Sequence, residues 1–235
     1  MEKLCYVLWK PAAVSGDAFR DALLRDAVPA LRDLGATRIT LLVADEHAEV
    51  VHKARITREG EPIAGLVTLW IECVDAHPQV EAVLRNHATR LAGYLVTESV
   101  VLPNTTHVAA PGERTPGVTL LALLEKPERL SFDEWIAIWH GQHSPLALEI
   151  QCTYLYVRNV VVRALTPDAP PWRGIVEEGF PAEAVTNPML WYKAEGDPKK
   201  MRENLGRMIA SVKAFLDIER VESHPLTEYR IPEPA

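Results

Sequence analysis

Two stretches of this chain repeat one pattern at a constant offset of 116 residues. Leu8-Trp9-Lys10-Pro11, followed by Ser15, Asp17 and Phe19, matches Leu124-Glu125-Lys126-Pro127, followed by Ser131, Asp133 and Trp135. Pro29 and Pro145 continue the register, within which Leu23 corresponds to Trp139 and Ala27 to His143. Such a chain must fold one unit twice and then cover whatever apolar face each copy leaves bare. The scaffold positions recur, whereas the imidazole stands in the second copy only.

Each copy reads as strand-helix-strand-strand-helix-strand. In the first, residues 4–9 form a β-rich run stopped by Pro11, and Phe19, Leu23, Leu24, Ala27 and Leu31 then recur at helical spacing. Strands are expected at 38–43 and 65–73, a helix at 78–91 and a closing strand at 94–102. In the second, strands are expected at 118–124, 154–162 and 174–180, with helices at 131–151 and 199–215. A last strand is placed near 218–223, with Tyr229-Arg230-Ile231 beyond it. Residues 104–117 are turn-rich and lack apolar periodicity, so they read as a linker between a unit at 1–103 and a unit at 118–235.

A βαββαβ order predicts an α+β fold, a four-stranded antiparallel sheet with both helices on one face. Two such ferredoxin-like units in tandem are expected to pack sheet-to-sheet as a pseudo-twofold α+β barrel whose interior holds a small molecule. Either a monomer with an intramolecular barrel or a homodimer satisfies this arrangement.

Charge and composition narrow the partners. A net charge of −7, a pI near 5.6 and scattered basic residues exclude nucleic acid and an anionic membrane surface as partners. No apolar stretch approaches the ~20 residues of a membrane helix, and the N-terminus enters a strand without a signal-peptide pattern. A cytoplasmic protein is expected. Three cysteines, Cys5, Cys73 and Cys152, form no CxxC pair and read as small core residues of strand-like runs. No metal is expected, since His140 and His143 have no nearby Cys or carboxylate to complete a site. Nucleophile elbow, dinucleotide glycine fingerprint, P-loop and HExxH motifs are absent, and no cofactor is expected.

The segment 131–147 (SFDEWIAIWHGQHSPLA) carries the most chemistry. Ser131 and Glu134 form an S-x-x-E capping box. Trp135, Trp139 and His143 follow at i, i+4 and i+8, which predicts one vertical line on the helix, with the Trp139 indole beside the His143 imidazole. In the bland reading the tryptophans are core and His143 is a hydrogen-bonded helix histidine. In the sharper one His143 is a pocket acid or base, its pKa set by burial or by a carboxylate. His140, one residue off the stripe, is expected to face solvent.

Phe132 to Leu146, read as Trp135-x3-Trp139-x3-His143-Ser144-Pro145-Leu146, resembles the hallmark helix of the EthD family. Tyr156-Val157-Arg158-Asn159 is similar to that family's Tyr-Val-x-Asn strand, and Gly174-Ile175-Val176-Glu177 to its Gly-Ile-x-Glu strand. The second half thus looks like a complete EthD domain and the first like a degenerate copy. The resemblance implies a dimeric α+β barrel with a pocket between sheet and helices. It implies little about reaction, although some members look like dehydratases or other lyases of polyketide-type aromatics.

Alternation places Tyr154, Tyr156 and Arg158 on one side of their strand and Val157 and Asn159 on the other. Of the adjacent Glu177 and Glu178, one must face inward, and the motif match favours Glu177. It would pair with Arg158 or His143 as an acid or base, or simply form a cross-strand pair with Arg158. Asn159 reads as a pocket contact or a strand end, and Trp70, on the first copy's matching strand, as an apolar wall. His47, His52, His77, His87, His107 and His224 are expected at the surface.

These residues suit a cofactor-independent lyase, dehydratase or cyclase acting on a small apolar carbonyl or polyketide-like compound. His143 would be acid or base, Glu177 or Arg158 would orient it or stabilise charge, and Trp139 and Tyr156 would wall the site. The alternative is a non-catalytic binding or accessory protein of a degradation pathway. A third reading, haem held by His143, predicts a Soret band lost in His143→Ala.

Overall fold

Lys10-Pro11 and Lys126-Pro127 each end a strand, because proline offers no N–H to a sheet ladder. Those strands are β1 (Glu2–Trp9) and β5 (Val118–Leu124), the first of each half. The computed structural model describes residues 1–49, 55–58, 60–110 and 112–233. The remaining strands are β2 (Thr37–Val43), β3 (Gly65–Ile71), β4 (Arg90–Leu102), β6 (Leu155–Ala164), β7 (Gly174–Phe180) and β8 (Glu222–Arg230).

Two sheets stacked face to face do not form. The strands close instead into one antiparallel barrel in the order β1-β3-β2-β8-β5-β7-β6-β4. Its halves are joined through edges, β2 to β8 and β4 to β6. The reason lies in the backbone: stacked sheets leave their outer strands' N–H and C=O groups unpaired, and closure removes every edge. The last strand of each half is long enough to make the join. β4 pairs with β1 over Arg90 to Val96 and with β6 from Tyr94 onward. β8 pairs with β5 over Glu222 to Leu226 and with β2 over Thr227 to Arg230.

Alternation along each strand then divides the described residues into three large apolar cores and two small clusters. The barrel interior is filled from both halves, by Cys5, Val7, Leu66, Leu121, Leu123 and Ile175 among others. Outside the barrel, the first half packs Tyr6, Leu8, Val67 and Leu69 against Phe19, Leu23 and Leu84. The second packs Leu124, Tyr156 and Val176 against Trp135, Trp139, Met208 and Phe215.

The first helix of each half is interrupted by a π turn. In the first half, α1 (Gly16–Ala22) passes through Leu23–Ala27 into α2 (Val28–Asp33). Two shorter helices follow, α3 (Glu46–Glu49) and α4 (His77–Arg85). In the second half, α5 (Phe132–Ile138) passes through Trp139–His143 into α6 (Ser144–Ile150). The single helix expected over 131–151 is therefore wound wider at its middle. Pro145 cannot donate to a carbonyl four residues back, and the Ser144 N–H reaches Trp139 O, five back. Ser131 and Glu134 form the expected capping box. Short α7 (Pro188–Trp191) precedes α8 (Pro198–Phe215), the longest helix, started by the Asp197 carboxylate.

Other expectations need correction. Residues Ile218–Arg220 form a 3₁₀ turn, and the last strand begins at Glu222. His224 is not at the surface: it is fully buried, opposite Leu121 of β5, with Nε2 3.1 Å from Glu222 Oε2. His77, His87 and His107 are half-buried, His77 bonded to Glu81 and His107 stacked on Tyr154. His47 is exposed, and His52 lies outside the described residues. Cys5 is buried, but β3 stops at Ile71 and leaves Cys73 exposed, while Cys152 is half-buried. Among the described residues, no helix is long and apolar enough to cross a membrane.

Candidate active site

Gly174 determines which face of β7 meets the helices. A Cβ there would lie 2.8 Å from Cη2 of Trp139, so the glycine lets the indole lie directly on the strand. Gly174, Val176 and Glu178 accordingly face the helices, whereas Ile175 and Glu177 face the barrel interior. Trp135 and Trp139 are fully buried on this face, with ring centroids 4.8 Å apart.

Between the sheet and the helices lies a cavity of about 330 Å³. Leu120, Ala122, Tyr156, Val176 and Glu178 form its floor, and Trp139, His143, Met208, Val212 and Phe215 its roof. Its size is near the lower bound for small-molecule pockets, and the lining is mostly apolar with a few polar groups, as such pockets require.

His143 lines this cavity from the end of the π turn. Its Nδ1 lies 3.0 Å from Ser211 Oγ on α8, and its ring packs on Phe215 at 4.6 Å. Nε2 has no hydrogen-bonding partner among the described residues. Burial lowers the imidazole pKa to about 4, so the ring is neutral at pH 7. The imidazole beside Trp139 is that of His140, edge-on at 4.8 Å, rather than His143. His140 is half-buried instead of solvent-facing, and burial together with the Arg158 charge lowers its pKa to about 4. The wider π turn swings both histidines from the positions a regular helix would give them.

The carboxylate sharing the cavity with His143 is Glu178. It stands opposite Tyr156 on β6 and Leu120 on β5, and no residue makes a hydrogen bond or ion pair with it among those described. Burial in this apolar setting raises its pKa to about 7. Tyr156 Oη lies 3.2 Å from Ser144 Oγ, which donates to Trp139 O at 2.9 Å and accepts from Arg158 Nη1 at 3.2 Å. Arg158 thus sits behind the cavity wall and holds Ser144 and Tyr156 in place.

Glu177, Asn159 and Trp70 belong elsewhere. Glu177 points into the barrel, where Asn159 Nδ2 donates to it at 2.9 Å and the buried Lys3 ammonium lies 3.4 Å away. Lys3 also binds Glu98 at 2.7 Å. Burial alone would pull the Lys3 pKa down, but the Glu177 and Glu98 carboxylates hold it above its ordinary value. Trp70 lines a polar cavity of about 300 Å³ at this barrel mouth, with Arg38 5.4 Å over its ring. The candidate residues therefore fall into two groups on opposite faces of one sheet: His143, Trp139, Tyr156 and Arg158 outside, Glu177, Asn159 and Trp70 inside. Sequence reasoning missed Ser211 and Phe215 as partners of His143. It placed Glu178 only as an alternative, although the evenly spaced Gly174, Val176 and Glu178 carry the signal once Trp139 needs a glycine beneath it.

No family model and no curated protein matches the chain. Solved structures do. An anthrone oxidase-like protein, 10% identical, matches with a TM-score of 0.55 over 98% of this chain and 91% of its own. A monooxygenase-like protein from Fusobacterium nucleatum subsp. nucleatum, 9% identical, matches with a TM-score of 0.55 over 100% of this chain and 95% of its own. Another, from Lactobacillus acidophilus NCFM, is 11% identical with a TM-score of 0.48, over 97% and 93%. These neighbours belong to the dimeric α+β barrel superfamily. At such identities the likeness is one of fold alone; the EthD resemblance rests on the motif residues.

Proposed function

We propose that this chain takes a small apolar carbonyl compound into the helix–sheet cavity and moves a proton on it. The observation that carries this reading is that His143 and Glu178 line one cavity whose walls are mostly apolar, Trp139, Met208, Val212 and Phe215 among them. A carboxyl group with a pKa near 7 exchanges protons at neutral pH in either direction, which is what a general acid or base requires. Neutral His143, its Nδ1 held by Ser211, offers Nε2 to a substrate oxygen. Enolisation, dehydration and cyclisation all fit, since each moves a proton between carbon and oxygen in a dry site and balances without an external oxidant. The name of one fold neighbour, anthrone oxidase-like, contains an aromatic ketone, which agrees with this ligand class.

Exchange of the α-protons of a bicyclic ketone such as 2-tetralone in D₂O, followed by NMR, tests the proposal directly. The chain should accelerate exchange, Glu178→Gln should lose the acceleration, and His143→Ala should lower it by roughly 10²–10³-fold. Exchange no faster than in buffer, or undiminished in Glu178→Gln, refutes the assignment. The sparse polar lining also fits a binding protein without catalysis, for which the ligand is recovered intact and unexchanged after prolonged incubation.

A further inference from the structure

We infer that the first half supplies the mouth of the second half's cavity, and that Arg58 there selects apolar ligands carrying one anionic group at their outer end. The inference deepens the reading above and rests on it. Ile56 and Arg58 precede the second half by some sixty positions, yet both line the cavity. Ile56 is tied to β8 by a two-way backbone bridge, Ile56 N to Ser223 O at 2.7 Å and Ser223 N to Ile56 O at 3.0 Å. Arg58 Nε donates to Val221 O at 3.0 Å and its Nη2 to Ile218 O at 2.8 Å.

Two of the guanidinium's nitrogens are thus spent on carbonyls of the cavity rim. Nη1 has no hydrogen bond, and no carboxylate lies within ion-pair distance of Arg58, among the described residues. A guanidinium held this way is pre-oriented, so a ligand anion meets a fixed donor and little side-chain freedom is lost on binding. The exposed apolar side chains of Ile56, Ile209 and Ile218 mark this end as the mouth. The far end offers an anion no fixed positive charge, only neutral His143 and the Glu178 carboxyl. An anionic group therefore stays at Arg58 while the apolar rings enter, and the favoured class is an aromatic or bicyclic keto acid.

Two fluorescent probes share one skeleton and differ by a sulfonate: 8-anilinonaphthalene-1-sulfonate and neutral N-phenyl-1-naphthylamine. Both are titrated into the full chain and into its Arg58→Gln and Val212→Trp variants. Val212→Trp, which fills the cavity, should weaken both probes; if it does not fold, Ile209→Trp at the mouth replaces it. Arg58→Gln should weaken the sulfonate about threefold or more, the scale of an ordinary charge-assisted contact, and leave the neutral probe nearly unchanged. Equal effects of Arg58→Gln on both probes, or none on either, overturn selection by Arg58 while leaving the cavity reading intact. Probe binding indifferent to the cavity-filling variant overturns both.

Discussion

Glu178→Gln should stabilise the protein above neutral pH while removing the proposed acid/base group. The folded carboxyl has a pKa of about 7 against 4.5 for an ordinary glutamate, a difference worth about 3 kcal/mol. A raised acid pKa fixes the sign. Below pH 4.5 both folded and unfolded forms are protonated and the neutral carboxyl's contribution is fully present. Between 4.5 and 7 the unfolded chain ionises and the folded one does not, so stability falls as pH rises, and beyond 7 it levels off. Glutamine mimics the neutral acid at every pH. Wild type and variant should therefore be equally stable near pH 4.5, and the variant more stable by up to about 3 kcal/mol at pH 8.

The difference between the two proteins, rather than the wild-type curve, is the readout. His143 acts in the opposite sense: its folded pKa of about 4 lies below the ordinary 6.5, so its contribution is present above 6.5 and lost as pH falls to 4. His140, with a folded pKa also of about 4, acts in the same sense as His143, so between 4.5 and 6.5 the wild-type profile mixes opposing effects. Urea unfolding followed by tryptophan fluorescence at a series of pH values measures the difference directly. A gap that does not change with pH would refute a proton-exchanging Glu178. Greater stability of the inactive variant is what a functional carboxyl in an apolar cavity predicts.

Lys3→Met should destabilise by about 3–5 kcal/mol in chemical denaturation, because it leaves the buried Glu177 and the half-buried Glu98 without their cation, and adding Glu177→Gln should recover part of the loss. Gly174→Ala forces Trp139 off the strand and should cost about 1–3 kcal/mol with a visible shift in tryptophan emission. Tyr229→Phe removes a 2.5 Å hydrogen bond to buried Asp45, whose other partners include Thr227 at 2.6 Å, and should lower stability by about 1–3 kcal/mol in thermal melts.

Periodicity and breakers made most elements legible. β5 and β7 match their expected spans because short β-rich runs are closed off by Gly117 and Pro127 and by Pro171 and Pro181. Edge-to-edge closure was not legible, since alternation within β2, β4, β6 and β8 is the same whether an edge strand stays open or finds a partner from the other half. The context of His224, before Pro225, reads as a loop. In the barrel β8 reaches β2 only at Thr227, so the missing N–H of Pro225 costs no bond of that pairing, and His224 turns inward opposite Leu121 of β5. Alternation showed that Glu177 and Glu178 face opposite ways. Choosing between them needed the contact of Gly174 with Trp139, a packing fact between segments some 35 residues apart.

The π turn itself is not the functional device. It occurs in both halves, over Leu23–Ala27 and Trp139–His143, each with a proline two residues on, and the first copy keeps it without any histidine. What differs is the side chain at its end and the helix that covers it. In the first half, α4 brings Val80 and Leu84 into the packed core around Leu23 and Ala27. In the second, α8 is twice as long as α4 and places Ser211 on His143 while Met208, Val212 and Phe215 roof a cavity. One duplicated scaffold therefore supports a solid core in one half and a ligand-sized space in the other. The barrel join between β2 and β8 brings the segment carrying Ile56 and Arg58 to the rim of that space, which gives the filled half a place in the site it does not itself contain.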